Sequence, residues 1–213
     1  MPRKKTVRDP DFAYHISARC NNKDWFSVPM PEVWQIFCRY LYFITLAYDV
    51  EIHAFVLMNN HYHLILRTPK ANIDEAMHYF QRETSRCIGK ASDRINHVYG
   101  GAYNSCLIRD LNHYNNVYKY VLRNPVSANI TDDVLLYPYT TLRGLLGFNL
   151  LLIPTYANED LFANPEGVLR WLNTPHGYSD YLWIKKALRR SEFEVKRCRR
   201  SGKIPPPDHP TFK

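Results

Sequence analysis

The chain has 213 residues, with 28 Lys and Arg against 20 Asp and Glu, for a formal net charge of +8. That length supports one ordinary domain with an appendage, and a hydrophobic content of 46% excludes a disordered chain. No apolar run approaches the ~20 residues that cross a bilayer, and the basic start MPRKKTVRDPDF leads into no apolar segment of the secretory kind.

The cysteines (Cys20, Cys38, Cys87, Cys106 and Cys198) are scattered, odd in number and lack a CxxC pair. A disulfide framework or thiolate zinc site is therefore not expected, and the expected compartment is the reducing cytoplasm. The positive surplus favours a polyanionic partner, nucleic acid first. Sixteen tyrosines, interleaved with basic residues, suit stacking on unpaired bases, although packing is the plainer role for most of them.

Residues 1–11 read as a basic arm. Phe12–Cys20 alternates as a first strand, with His15, Ser17 and Arg19 on one face and Tyr14, Ile16 and Ala18 on the other. Pro31-Glu32 opens a helix whose apolar positions Val33, Ile36, Phe37, Tyr40, Leu41 and Ile44 run to about Tyr48. Two apolar runs follow, Glu51–Met58 and His61–Arg67, joined by Asn59-Asn60, a pair that suits a tight turn. Asn72 or Asp74 caps a second helix over Ile73–Lys90, and Tyr103–Arg109 is a short strand. The order βαββαβ predicts a ferredoxin-like α+β fold: an antiparallel sheet with two helices on one face and the other face open.

A third helix over Leu111–Arg123 stops at Asn124-Pro125, because proline disfavours helix in the residue before it. Beyond it, helices are predicted at Asn158–Phe162, Pro165–Leu172 and Ser179–Arg200, the last strongly basic, and Pro205-Pro206-Pro207 marks an extended tail. The expected division is an arm at 1–11, a main domain at 12–146, and a helical, basic extension at 147–213.

Two features carry chemistry. His61 and His63, two apart on a strand, share one face, which is half of a metal site; the same spacing is also that of two ordinary polar residues. On the third helix Tyr120 and Asn124 are four apart and lie one turn from each other. Taken singly, Tyr120 reads better as a packing or surface aromatic than as a reactive group. Tyr118 is turned about 200° from it around the helix.

The segment FVLMNNHYHLILRTP resembles the His-hydrophobic-His signature of the HUH single-strand nucleases. More narrowly, Met58–Ile65 is similar to the "MPNHxHLL" phrase of the IS200-like, single-tyrosine (Y1) transposases and their REP-associated relatives, with Asn59 in place of proline. KYVLRNPVSA at 119–128 is similar to that family's "YIxxNPVxA", and YPYTTL at 137–142 to its "YPWSSY".

This resemblance implies a metal-dependent single-stranded DNA endonuclease and strand transferase with Tyr120 as nucleophile, forming a covalent 5′-phosphotyrosine. It implies His61, His63 and Asn124 as ligands of one Mg²⁺ or Mn²⁺, and single-stranded DNA with hairpin or palindromic elements as partner. Either a monomer or a homodimer fits, and no membrane is involved. Arg19 and Arg67, on strands, and Lys185, Lys186, Arg189 and Arg190, on the basic helix, are expected DNA contacts; a solvated surface is the alternative for each. His15 could border the site, with a structural or DNA-contacting role preferred. The competing class is a hairpin-binding module of the same fold with little or no catalysis. An RNA-binding domain of the RRM kind lacks its basic-Gly-aromatic strand phrase here.

Overall fold

The computed structural model describes residues 6–156 and 159–194. Strands β1 (Ala13–Arg19), β2 (Glu51–Leu57), β3 (His61–Arg67) and β4 (Asn104–Ile108) form one sheet in the order β2-β3-β1-β4, with each neighbouring pair antiparallel. Helices α1 (Met30–Tyr48) and α2 (Ile73–Ala91) complete the βαββαβ order. The ferredoxin-like α+β class holds, and each of these boundaries lies within one or two residues of the sequence reading.

Local chemistry explains the boundaries. Proline near the start of α1 sets the backbone for a helix and Glu32 complements its dipole. Asp49 stops it in the left-handed region (φ 53°), a conformation Asp tolerates, and its N–H returns to the Ile44 carbonyl. Asn72 Nδ2 donates to the Tyr48 carbonyl (3.0 Å), tying the start of α2 to the end of α1. The β2–β3 turn is pinned from outside: Cys20 N–H donates to the Asn60 carbonyl and Phe26 N–H to the Asn59 carbonyl.

One sheet face, with Tyr14, Ile16, Phe55, Leu57, Tyr62, Leu64 and Leu66, packs on α1 and α2. Phe37 sits at its centre in edge contacts with Phe26, Tyr62 and Phe80. The other face is not open as expected. It carries Ala54, Val56, Ile65, Cys106 and Ile108, and apolar residues of that kind demand cover. Helix α3 (Leu111–Leu122) lies across them through Val117, Tyr118 and Val121.

Two short helices, α4 (Asn124–Ser127) and α5 (Leu142–Leu145), follow α3. Three more, α6 (Glu159–Phe162), α7 (Pro165–Asn173) and α8 (Tyr178–Ala187), make up the extension, and Val168, Trp171, Leu172 and Ile184 join the core under α3. Buried cations of α3 fasten this layer. Lys119 Nζ stands 5.3 Å over the Trp171 ring, and Arg123 donates to the carbonyls of Leu172 and Asn173 at the end of α7.

Segments that follow α3 also finish the edges of the sheet. Beside β2, Leu57 N–H donates to the Tyr139 carbonyl and Thr141 N–H to the Phe55 carbonyl, both at 3.0 Å; Tyr156 N–H donates to the Ile52 carbonyl at 2.7 Å. Beside β4, Leu107 N–H donates to the Ser191 carbonyl and Phe193 N–H to the Leu107 carbonyl, each at 2.8 Å. The helix predicted over Ser179–Arg200 therefore ends at Ala187, because the bare β4 edge captures residues 191–193 instead. Lys196, Arg197, Arg199, Arg200 and the proline tail lie outside the described residues. No helix among the described residues is long and apolar enough to cross a membrane.

Candidate active site

The β1–β3 register pairs Ser17 with His63 and Arg19 with His61. Directly paired residues share a face, so His15, Ser17, Arg19, His61 and His63 all look toward α3. His61 and His63 lie with ring centroids 5.1 Å apart and planes at 84°. Tyr120 presents its ring edge-on to His63 at 5.7 Å (88°) and to His15 at 6.4 Å (78°). The predicted imidazole pair and phenol thus meet within one chain. Tyr118 points elsewhere: it is buried against Tyr114 and Phe162, with its hydroxyl directed at the His53 carbonyl.

α3 is aimed by its first turn, where the Asp110 carboxylate accepts from the N–H groups of Asn112 (2.8 Å) and His113 (3.1 Å). Asn124, just past its end, donates from Nδ2 to the Tyr120 carbonyl (2.8 Å), which leaves Oδ1 as an acceptor. The hydrogen bond of Asn124 therefore runs to Tyr120 rather than to either imidazole.

Each site imidazole is held at Nδ1. Asn60 Nδ2 donates to the Lys23 carbonyl, which fixes the amide so that Oδ1 faces His61 Nδ1 at 2.7 Å. A carbonyl oxygen only accepts, so His61 carries its proton on Nδ1 and its lone pair on Nε2. His63 Nδ1 meets His15 Nε2 at 2.9 Å. Burial pushes His61 down to about 4, with Arg19 and Lys185 adding repulsion, and lowers His63 well below its ordinary range for the same first reason. Both rings are neutral near pH 7, the state that ligates a cation.

Burial also raises Tyr120 above the usual phenol range; Tyr181 raises it further, while Asn124, Arg19 and Arg189 pull it back. Tyr181 of α8 lies on Tyr120 at 5.7 Å, and Lys185 Nζ stands 5.7 Å over the Tyr181 ring. Of the basic residues singled out by sequence, Arg19, Lys185 and Arg189 thus act on the site. Lys186 is exposed on α8, and Arg190 pairs with Glu194 (3.8 Å). Arg67 is not brought to the site. It pairs with both Glu51 oxygens (2.6 and 2.8 Å) at the far end of β3, six residues or roughly 20 Å from His61.

Among the described residues no group of three or more His, Cys, Asp or Glu side chains is arranged to hold a metal ion. By donor chemistry alone, the atoms that could hold one are His61 Nε2, His63 Nε2 and the amide oxygen of Asn124. Two nitrogens and a hard oxygen suit Mn²⁺ or Mg²⁺ better than a thiolate site's zinc. Sequence reasoning missed Asn60, read only as a turn former, and Tyr181, whose helix was read for charge alone.

The family model of the IS200-like transposases matches residues 10–124, just over half of the chain and all of the sheet. The chain belongs to the IS200-like transposase family and is a transposase-type, DNA-processing protein. No curated protein sequence matches it. Among solved structures it is similar to a REP-associated tyrosine transposase bound to a REP hairpin, at 14% identity and a TM-score of 0.60, over 73% of this chain and 93% of that one. It is also similar to a candidate transposase from Deinococcus radiodurans R1, at 18% identity and a TM-score of 0.39, over 58% of this chain and 97% of that one.

Proposed function

We propose that the protein is a single-stranded DNA endonuclease and strand transferase that works through Tyr120. The observation that carries this reading is the edge contact of Tyr120 with His63, itself beside His61, in a single chain. The Tyr120 phenol oxygen attacks phosphorus at the cleavage site. The bond to the 3′ oxygen breaks, that oxygen leaves as a 3′-OH having gained a proton, and the phenol has lost its own. The 5′ phosphate stays esterified to Tyr120.

His61, His63 and Asn124 would hold one divalent cation, Mg²⁺ or Mn²⁺, which when bound polarises the scissile phosphate and offsets developing charge. Arg19, Lys185 and Arg189 surround the same space and bind the phosphate backbone on either side of the break. Reversal needs no ATP, because a 3′-OH attacking the phosphotyrosine expels a phenolate, whose reference pKa near 10 makes it a competent leaving group. A hairpin partner is supported by the solved relative, which was seen on a REP hairpin.

The test is a denaturing gel of the protein with labelled single-stranded hairpin DNA and Mn²⁺. A slow-migrating covalent adduct is expected; Tyr120→Phe abolishes it and Tyr118→Phe keeps it. An adduct that survives Tyr120→Phe refutes the assignment. Hairpin binding without any adduct, in Mg²⁺ or Mn²⁺, supports the module reading, which the Tyr181 cover over Tyr120 favours.

A further inference from the structure

We propose that His15 is a positioning residue that sets the tautomer of His63, an inference that rests on His63 being a metal ligand. His15 lies mid-strand in β1, opposite Ile65 of β3 and Cys106 of β4, and is 2% exposed. Its ring stacks on His63 (centroids 5.1 Å, planes 29° apart), and its Nε2 is 2.9 Å from His63 Nδ1. Its other nitrogen, Nδ1, is buried with no partner. That leaves an unmet polar atom in the core, a cost that an apolar side chain of similar size would not carry. Packing alone therefore does not account for an imidazole here; its one polar contact, to His63, does.

The 2.9 Å contact has two proton arrangements. In one, His63 Nδ1–H donates to His15 Nε2, and His63 Nε2 keeps a lone pair for a cation. In the other, His15 Nε2–H donates to His63 Nδ1, and His63 Nε2 carries a proton and cannot ligate. His15 Nδ1 is unpartnered either way, as donor or as acceptor, so His15 itself costs the fold about the same in both. A cation in the site selects the first. His15 then does for His63 what the Asn60 amide does for His61: it accepts from Nδ1 and presents Nε2. A cation does not fit between His15 and His63, because their facing nitrogens are already in hydrogen-bond contact.

The test measures Mn²⁺ affinity of the full chain by titration, with wild type, His63→Ala, His15→Phe and His15→Gln. Outer-shell partners of this kind are worth roughly 10–100-fold in metal affinity. His15→Phe is expected to weaken Mn²⁺ binding by that factor, and His15→Gln, whose amide oxygen still accepts, to restore part of it. In Mg²⁺-saturated wild type, ¹⁵N NMR is expected to find the His63 proton on Nδ1. That readout needs no variant, so it stands even where His15→Phe fails to fold.

Unchanged Mn²⁺ affinity in His15→Phe overturns the inference and leaves the metal site standing, whereas a His63 proton on Nε2 with Mg²⁺ bound overturns both. Mn²⁺ binding that His63→Ala does not weaken overturns both.

Discussion

Mild acid should destabilise this protein through its buried imidazoles. His15 is 2% exposed, and burial pushes it from the ordinary imidazole range down to about 3. In the unfolded chain the same group titrates near 6.5. Below that pH unfolding releases a ring that takes up a proton the fold refuses. The stability is thus complete above about 6.5 and drains away as pH falls toward the folded value. Between pH 7 and pH 5 the loss from His15 alone is about 2 kcal/mol, a large share of a typical 5–15 kcal/mol domain stability. His61 and His63, also lowered by burial, add to it with the same sign. The assay is urea unfolding at pH 7 and pH 5 in buffer free of divalent cations, for wild type and His15→Gln. Because glutamine does not titrate, the variant should lose about 2 kcal/mol less between the two pH values. Equal pH dependence in both proteins, or a wild type as stable at pH 5 as at pH 7, would refute the reasoning.

Other substitutions test other layers. Tyr62 is fully buried among aromatics and its hydroxyl has no partner, so Tyr62→Phe should stabilise by about 1–2 kcal/mol. Calorimetry should then show Tm rising by roughly 2–4 °C per kcal/mol; a fall would show that the hydroxyl is satisfied. The Thr141 hydroxyl accepts from Phe55 N–H at 3.0 Å. Thr141→Val should cost about 1–3 kcal/mol and speed hydrogen exchange at the Phe55 amide; unchanged exchange there would count against the contact. Affinity for single-stranded DNA should fall as salt rises, and removing one phosphate-binding cation should flatten the log–log slope by about 0.7. Fluorescence anisotropy across a salt series should find that change for Arg19→Ala and none for Arg67→Ala. The reverse pattern would move the DNA path to the other end of the sheet.

The periods of the apolar residues carried the βαββαβ order, and His61, His63 and Tyr120 stood out once three phrases fell in the right sequence. Alternation in β1 put His15 and Arg19 on one face, but only the pairing of Ser17 with His63 reveals which face that is and what it meets. Register is a tertiary fact; period-two patterning leaves it open by whole steps of two. The same limit hid Arg67, which shares its strand with the histidines yet sits at the wrong end of it. Helical spacing through Ser179–Arg200 ran past the true stop because the competing partner, the β4 edge, is distant in sequence. The open sheet face followed from the βαββαβ pattern alone; Val56 and Ile65, both buried, show that helices outside that core were needed to cover it.

The hydrogen bonds that the late segments 139–141, 156 and 191–193 make along β2 and β4 bear on how the molecule tolerates being cut. A fragment trimmed to residues 10–124, however faithful to its kin in sequence, would present two raw ribbons of unsatisfied amides, each ready to pair with another molecule's ribbon. Such a piece should clump rather than dissolve, and residues 139–193 should prove as hard to dispense with as the strands they border.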